Sequence, residues 1–410
     1  MIDIKLLREN PQVIQKAAKD KGVEINAEHI LELDNKVRGL ELIVQKLREE
    51  RNKISKEKNI EKGKELKTKL GKEENALKAV SEELNNELLK IPNLPAKDVH
   101  AGRDETQNKE IRKYGTISKF LFTPKDHLEL GESFNIIDVK SAAKVSGSRF
   151  AYLKNQGALL EFALIQYAID FLVKEGFIPI VPPVLIKRKM MEDMGYLALG
   201  EDEMFKTKDE DLFLIATAEH AIVPMHADEL FNKKEMPLRY VGFSTSFRRE
   251  AGSYGKDTRG ILRVHQFDKV EMVSFTTGEE DDREHEYLLS LQEKLFKSLE
   301  IPYRVVKMCT GDLGFPAARK YDLEAWIPSE RKYREVTSVS TTTDFQARRL
   351  NIKYLDGNEK KLVHILNGTA FAIGRTLVAI LENNQNEDGS INIPKVLHKY
   401  LNFKKISSKK

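Results

Sequence analysis

Three observations predict an α+β fold. Apolar residues recur at alternating three-and-four spacing from Ile30 to Ile54 and again from Leu66 to Ile91, the mark of two long helices packed along a seam. Alternating residues from Phe247 to Glu271 flank a loop holding Gly252, Gly255 and Gly260, which reads as a β-hairpin. Beyond residue 120, runs at helical spacing interleave with strand-like runs. An antiparallel two-helix arm therefore precedes a body of strands and helices, and a chain of 410 residues has room for both.

Charged residues make up 32% of the chain, and their excess lies near the N-terminus. A net charge of only +4 means that a polyanion must be met by a local basic patch. The single cysteine, Cys309, excludes a disulfide framework and a multi-cysteine zinc site and points to a reducing compartment. A small buried hydrophobe accounts for it. The opening MIDIKLLRENPQV carries Asp3 and Glu9, and no stretch approaches about 18 apolar residues. The expectation is a cytoplasmic protein without a membrane segment.

Residues 1–27 form a short amphipathic opening with Pro11 near a helix start. The arm covers about 28–92, Ile30, Leu33, Val37, Leu40, Val44, Leu47 and Ile54 facing Leu66, Leu70, Leu77, Val80, Leu84, Leu88 and Ile91, with a break expected from Asn59 to Gly63. Its tip, from Lys46 to Lys72, holds eleven basic residues against five glutamates. Arg48, Arg51, Lys53, Lys56, Lys58, Lys62 and Lys64 are the candidates there for a nucleic-acid backbone, although a solvated coiled-coil face has the same composition.

IPNLP at residues 91–95 ends the arm, because proline removes a donor and clashes with the preceding turn. The domains expected are 1–100 and 101–410, with residues 96–118 a polar linker and the body starting near Phe120. Residues 159–174 predict a helix ended by Gly176. GFIPIVPPVL follows, and its three prolines restrict it to an edge strand or irregular pairing. LFLIATAEH reads as a strand entering a helix, with Thr217 near the cap and Glu219 in the first turn.

In the hairpin, Arg248 and Glu250 are expected to share one face, and Arg263, Phe267 and Glu271 another. If the faces coincide, they suit phosphates, a base and an amino group, and cross-strand salt bridges would produce the same pattern. Further on, Asp322, Glu324 and Trp326 share a face in KYDLEAWIP, and Glu335 and Thr337 in REVTSVSTTTDF, where carboxylates could hold Mg²⁺ or simply line a surface strand. Arg375 sits among apolar residues after Asn367, Gly368 and Thr369, and needs an ion-pair partner or a bound anion. The basic tail beyond Asn402 is expected to fray.

Together these segments resemble the bacterial-type seryl-tRNA synthetases of class II, over essentially the whole chain. Residues 176–185 look like motif 1, with Pro183 at the class's proline; residues 247–271 look like motif 2; Gly374-Arg375, within about 367–385, looks like motif 3. EAGSYGKDTRG with RVHQFDKVE, TGDLGF and DFQARR are specific to the seryl enzymes.

The resemblance implies a catalytic domain built on a mainly antiparallel sheet flanked by helices, and ligation of L-serine to serine tRNA, and to selenocysteine tRNA where present, through a seryl-adenylate. It implies Arg248, Arg249, Glu250, Arg263, Val264, Phe267, Glu335, Val336, Thr337, Ser338 and Arg375 around ATP, with Glu335 and Ser338 on Mg²⁺. Serine falls to Thr217, Ala218, Glu219, Arg248, Glu271, Asn367 and Thr369. Catalysis rests on Arg248, Glu250, Arg263 and Arg375. A homodimer is implied in which the arm reaches tRNA across the dimer. Ala216 stands where proline is frequent, His220 where a small aliphatic residue is usual, and Thr369 where serine is common. Two alternatives are a paralogue that charges a carrier protein, against which the arm and the lone cysteine speak, and a dead nucleic-acid-binding scaffold, against which the intact arginines and glutamates speak.

Overall fold

The computed structural model describes residues 1–57, 59–198, 200–251 and 259–407. The hairpin glycines Gly252 and Gly255, and Lys58, lie outside them. The chain forms two units, Met1–Leu94 and Pro95–Lys410.

In the first unit, a helix from Pro11 to Asp20 starts on its proline, where the missing N–H is harmless. Helices α1 (Ala27–Glu57) and α2 (Ile60–Leu89) follow as the arm. The break is shorter than expected: Asn59 accepts from the Lys62 N–H at 3.2 Å and caps α2, so Gly63 falls inside the helix. Val44, Leu47 and Leu70 are buried together, with Leu66 and Leu77 against them. Ile30, Leu33, Leu84, Leu88 and Ile91 form a second cluster towards the base of the arm. Arg48 bridges the two helices to Glu74 at 2.7 Å. Arg48, Arg51, Lys53, Lys56, Lys62 and Lys64 are exposed.

The second unit is organised on an eight-stranded sheet. In chain order its strands are β1 (Lys109–Tyr114), β2 (Ile178–Ile180), β3 (Leu238–Phe247), β4 (Gln266–Thr276), β5 (Tyr303–Lys307), β6 (Arg319–Ile327), β7 (Lys332–Thr341) and β8 (His364–Ala372). Across the sheet they run β1-β5-β6-β7-β8-β4-β3-β2, antiparallel except for β2 beside β3. Among its helices are α3 (His127–Ser133), α4 (Asn155–Lys174), α5 (Glu219–Ile222), α6 (Asp281–Ser298) and α7 (Ile373–Asn383). Leu160, Leu164 and Leu172 of α4, Leu288 and Phe296 of α6, and Leu377 and Leu381 of α7 share one core with Val270, Leu323 and Phe371 from the sheet. By length and composition α4 is long and apolar enough to cross a membrane, yet one side of it packs into this core.

Four expectations need correction. Residues 109–114 are no linker but edge strand β1, invisible in the sequence because all six side chains are exposed and backbone bonds to β5 hold it. The tail is tied down at Lys405–Ile406, which pairs with Ile391–Asn392 and buries Ile406. The arms of the motif 2 hairpin stop at Phe247 and Gln266, so Arg248, Glu250 and Arg263 are loop residues and strand alternation does not set their facing. Finally, β6 and β7 pair with a bulge, Glu324 opposite Glu335 and Leu323 opposite Thr337, which leaves Val336 as the extra residue. The three-proline stretch did become an edge, with β2 at the margin of the sheet and Leu185–Lys187 pairing elsewhere with Leu212–Leu214.

Candidate active site

The open centre of the sheet carries a cavity of about 630 Å³. Of the residues expected around ATP and serine it is lined by Thr217, Glu219, Arg248, Glu250, Arg263, Val264, Phe267, Glu271, Glu335, Val336, Thr337, Ser338, Asn367, Thr369 and Arg375. Two are not brought there. Ala218 packs beneath the site with Ile222 and Val223, and Arg249 is exposed, its N–H bonded to the Glu203 carbonyl at 2.9 Å.

Register places the deep end of the cavity. Thr369 on β8 lies opposite Glu271 on β4, and its hydroxyl donates to the Glu271 carboxylate at 2.9 Å. Lys269, two residues before Glu271 and therefore on the same face, sits 2.7 Å from that carboxylate and 3.4 Å from the Thr369 hydroxyl. Burial depresses the Lys269 ammonium and Glu271 partly restores it. Glu219 in the first turn of α5 accepts from the Tyr196 hydroxyl at 2.9 Å and the Gln346 amide at 2.9 Å. Burial pushes its carboxyl up to about 7, with Glu271 adding to the rise and Gln346 and Tyr196 opposing it. His220 is buried, its ring 4.2 Å from that of Tyr196, and burial with Lys269 and Arg248 nearby holds it well below its ordinary value.

At the other end, the Arg248 guanidinium lies 5.3 Å from the Phe267 ring centre and donates to the Ala216 carbonyl at 3.4 Å. Glu250 has a positive φ of 51°, a turn that presents its carboxylate to Arg263 while its carbonyl accepts from Arg149 at 2.7 Å. Arg375, in the first turn of α7, is 3.0 Å from the Glu335 carboxylate and donates to the Glu335 carbonyl at 3.3 Å. The question its burial posed is thus met by an ion pair that faces the cavity. Glu335 holds the Arg375 guanidinium firmly charged. Burial alone would raise the Glu335 carboxyl, but Arg375, Lys320 and Arg248 pull it well below the carboxylate range.

Among the described residues no group of three His, Cys, Asp or Glu could hold a metal ion by itself. The β7 bulge nevertheless puts two oxygen donors on one face. Glu335 pairs with Glu324 and Ser338 with Asp322, and Asp322 and Glu324 are two residues apart on β6. An ionised carboxylate and a hydroxyl are hard donors that fit a hydrated Mg²⁺ carried on a polyphosphate.

Sequence reasoning missed Lys269, Tyr196, Gln346 and Lys320. Lys269 carried a usable signal, its place between Phe267 and Glu271. Lys320, which lines the cavity and lies 3.1 Å from Asp322, is a half-buried cation at the cavity wall, the kind of group that marks a site. Gln346 lies in DFQARR, a stretch singled out in the sequence but given no role there, and Tyr196 carried no signal, since only the fold brings it to Glu219.

Residues 203–384 match the family described as tRNA synthetase class II core domain (G, H, P, S and T), and residues 1–95 match the Seryl-tRNA synthetase N-terminal domain. A serine--tRNA ligase from Dictyoglomus thermophilum is 46% identical over 426 residues that cover both chains completely. The chain belongs to the seryl-tRNA synthetase family. Its fold agrees over the full length of both chains with a seryl-tRNA synthetase from Pyrococcus horikoshii complexed with ATP, at a TM-score of 0.93 and 41% identity. It also agrees with a cytoplasmic serine-tRNA ligase from Naegleria fowleri in complex with AMP, at 0.90 and 33%, over 100% of this chain and 99% of that one. The antiparallel sheet flanked by helices is the class II core, and the two long helices are the family's helical N-terminal region.

Proposed function

We propose that this chain ligates L-serine to serine tRNA at the expense of ATP, with a seryl-adenylate between the two steps. The observation that carries the reading is a single cavity with two chemically different ends. One presents guanidiniums, an aromatic ring and an ionised carboxylate, and the other a buried hydroxyl and carboxylates sized for a small polar amino acid.

In this reading Phe267 and Glu250 receive adenine, through stacking and through its amino group. Arg263 and Arg375 meet the distal phosphates, and Arg248 bridges the serine carboxylate and the α-phosphate. Glu335 and Ser338 would hold the Mg²⁺ that accompanies ATP, which would neutralise phosphate charge there. The serine carboxylate attacks the α-phosphorus and pyrophosphate leaves. No protein nucleophile is needed, because positioning and charge neutralisation by Arg248, Arg263 and Arg375 account for a phosphoryl-centred displacement. A hydroxyl of the terminal adenosine of tRNA then attacks the seryl carbonyl, and AMP leaves.

Glu219 and Thr217 face the serine ammonium, and Glu271 with Thr369 its hydroxyl. Alanine would leave these buried groups unpaired, which is the basis for rejecting it.

The remaining elements of the reading concern assembly. The basic tip around Arg48, Arg51, Lys53, Lys56, Lys62 and Lys64 meets the tRNA backbone, recognising shape more than sequence. The apolar side chains exposed on α4 and around β2, Phe162, Ile178 and Val181 among them, form the contact of a homodimer in which the arm of one copy serves the other. The compartment is the cytoplasm. Serine-dependent exchange of labelled pyrophosphate into ATP, measured without tRNA at neutral pH and with Mg²⁺, tests the reading. The absence of exchange would overturn it.

A further inference from the structure

Arg263 sits on a stretch, residues 259–264, that precedes β4 and belongs to no strand. Something else must hold it in place, and its hydrogen bonding leads to His127, the first residue of α3 and buried. The Ile261 N–H points at His127 Nε2, 3.3 Å away. An N–H can only donate, so Nε2 must be the acceptor, and the ring proton therefore sits on Nδ1. Nδ1 lies 3.2 Å from Glu382 Oε1, and the His127 backbone N–H donates to that same oxygen at 3.0 Å. Glu382, fully buried near the end of α7, accepts at its other oxygen from the Ser329 N–H at 3.1 Å. One carboxylate thus fixes the tautomer, and the tautomer fixes the loop.

Two glycines show how tightly the parts approach. Gly260 has a φ of +74°, and a Cβ built on it would overlap His127 Nε2. A Cβ on Gly374, next to Arg375, would lie 2.8 Å from the Ile261 carbonyl. Ile261 is therefore hydrogen-bonded by the imidazole at its N–H, and its carbonyl lies close against Gly374 at the start of α7. Leu262, Arg263 and Val264, which follow, line the cavity.

We infer that His127 is a positioning residue for ATP: through the Ile261 N–H, with its tautomer set by Glu382, it holds the segment that carries Arg263 in register with Arg375. It touches neither substrate. The inference rests on the assignment of ATP to this end of the cavity.

The test is pyrophosphate exchange by the full-length enzyme, with KM measured separately for ATP and serine. His127→Ala is expected to raise the ATP KM about tenfold, the worth of a missing buried hydrogen bond and the register it kept, and to leave the serine KM unchanged. His127→Gln, which carries an acceptor at the reach of Nε2, is expected to recover most of the loss. Arg263→Ala is the control. If Arg263→Ala raises the ATP KM and folded His127→Ala does not, the positioning role is overturned and the ATP assignment stands. If Arg263→Ala has no effect on ATP, the assignment itself fails and takes the inference with it. Equal rises for ATP and serine in His127→Ala reduce the residue to general scaffolding and also overturn the proposal. Should His127→Ala not fold, His127→Asn decides, since its shorter polar side chain does not reach the Ile261 N–H. An ATP-selective rise supports the role, and a shared rise or none refutes it.

Discussion

Replacing Thr369 by valine removes one oxygen and keeps the shape of the side chain. In the folded protein that oxygen donates to Glu271 at 2.9 Å and lies 3.4 Å from the Lys269 ammonium, and all three residues are buried. Leaving a buried acceptor short of one donor costs about 1–3 kcal/mol. At about 1.4 kcal/mol per decade this spans roughly 5- to 150-fold in a binding or rate constant. Lys269, already 2.7 Å from the same carboxylate, offsets part of the loss, so the lower half of that range applies, about 5- to 30-fold.

The assay is serine-dependent pyrophosphate exchange, with kcat/KM determined for serine and KM for ATP. Serine kcat/KM should fall about 5- to 30-fold, the ATP KM should stay within about twofold, and the preference for serine over alanine should narrow. A thermal melt should show a loss of a few degrees at most, about 2–4 °C per kcal/mol for a unit of this size. If serine kcat/KM is unchanged, or the ATP KM moves by the same factor, Thr369 does not read the amino acid and the division of the cavity into two ends is wrong.

Removing about residues 35–85 should leave exchange intact and abolish most tRNA charging, and equal loss of both would show that the arm is not a separable tRNA module. Charge reversal at Arg51, Lys53 and Lys56 should weaken tRNA binding and flatten its dependence on salt by about one unit of slope for each phosphate no longer neutralised, which filter binding at several salt concentrations measures. Arg375→Ala removes the partner of Glu335 and a cation from the phosphate end, and should lower kcat in exchange by about two to three orders of magnitude. If Glu219 meets the serine ammonium as proposed, serine binding should depend on pH. Its folded carboxyl titrates near 7, above the ordinary value of 4.5, so any stability it lends is present in full below pH 4.5 and is lost as pH rises towards 7. A bound ammonium favours the carboxylate, so serine binding should release a proton near pH 6 and tighten between about pH 6 and 7.5. Calorimetry in buffers of different ionisation enthalpy checks this, and Glu219→Gln should abolish the proton release.

How much of the molecule was legible in the sequence depended on what held each part. The arm was legible because its burial is periodic, Val44, Leu47 and Leu70 meeting along a seam that spacing alone reveals. The lone helix around Leu164 and the proline-limited edge at β2 were legible for the same kind of reason. Strand β1 was not, because its six side chains are all exposed, and what fixes it is backbone pairing plus the Arg112–Glu293 ion pair at 2.6 Å across 181 residues. The site divides the same way. Glu271 and Lys269 follow from alternation along β4, whereas Tyr196 and Gln346 reach Glu219 from 23 and 127 residues away, and neither periodicity nor the DFQARR motif that holds Gln346 says which residue they meet.

The bulge on β7 shows why alternation can be right about a strand and wrong about its chemistry. Uninterrupted pleating would put Glu335 with Thr337 and send Ser338 to the opposite face. The extra residue, Val336, shifts the phase by one, so Thr337 pairs with core residue Leu323 while Ser338 pairs with Asp322, two residues from Glu324, the partner of Glu335. Two oxygen donors three residues apart then share one surface, which a regular strand cannot arrange. A carboxylate held ionised by Arg375 and Lys320, with a hydroxyl beside it, is what a magnesium-bearing polyphosphate requires. The irregularity that sequence periodicity could not foresee is therefore the feature on which the proposed phosphate end of the cavity depends.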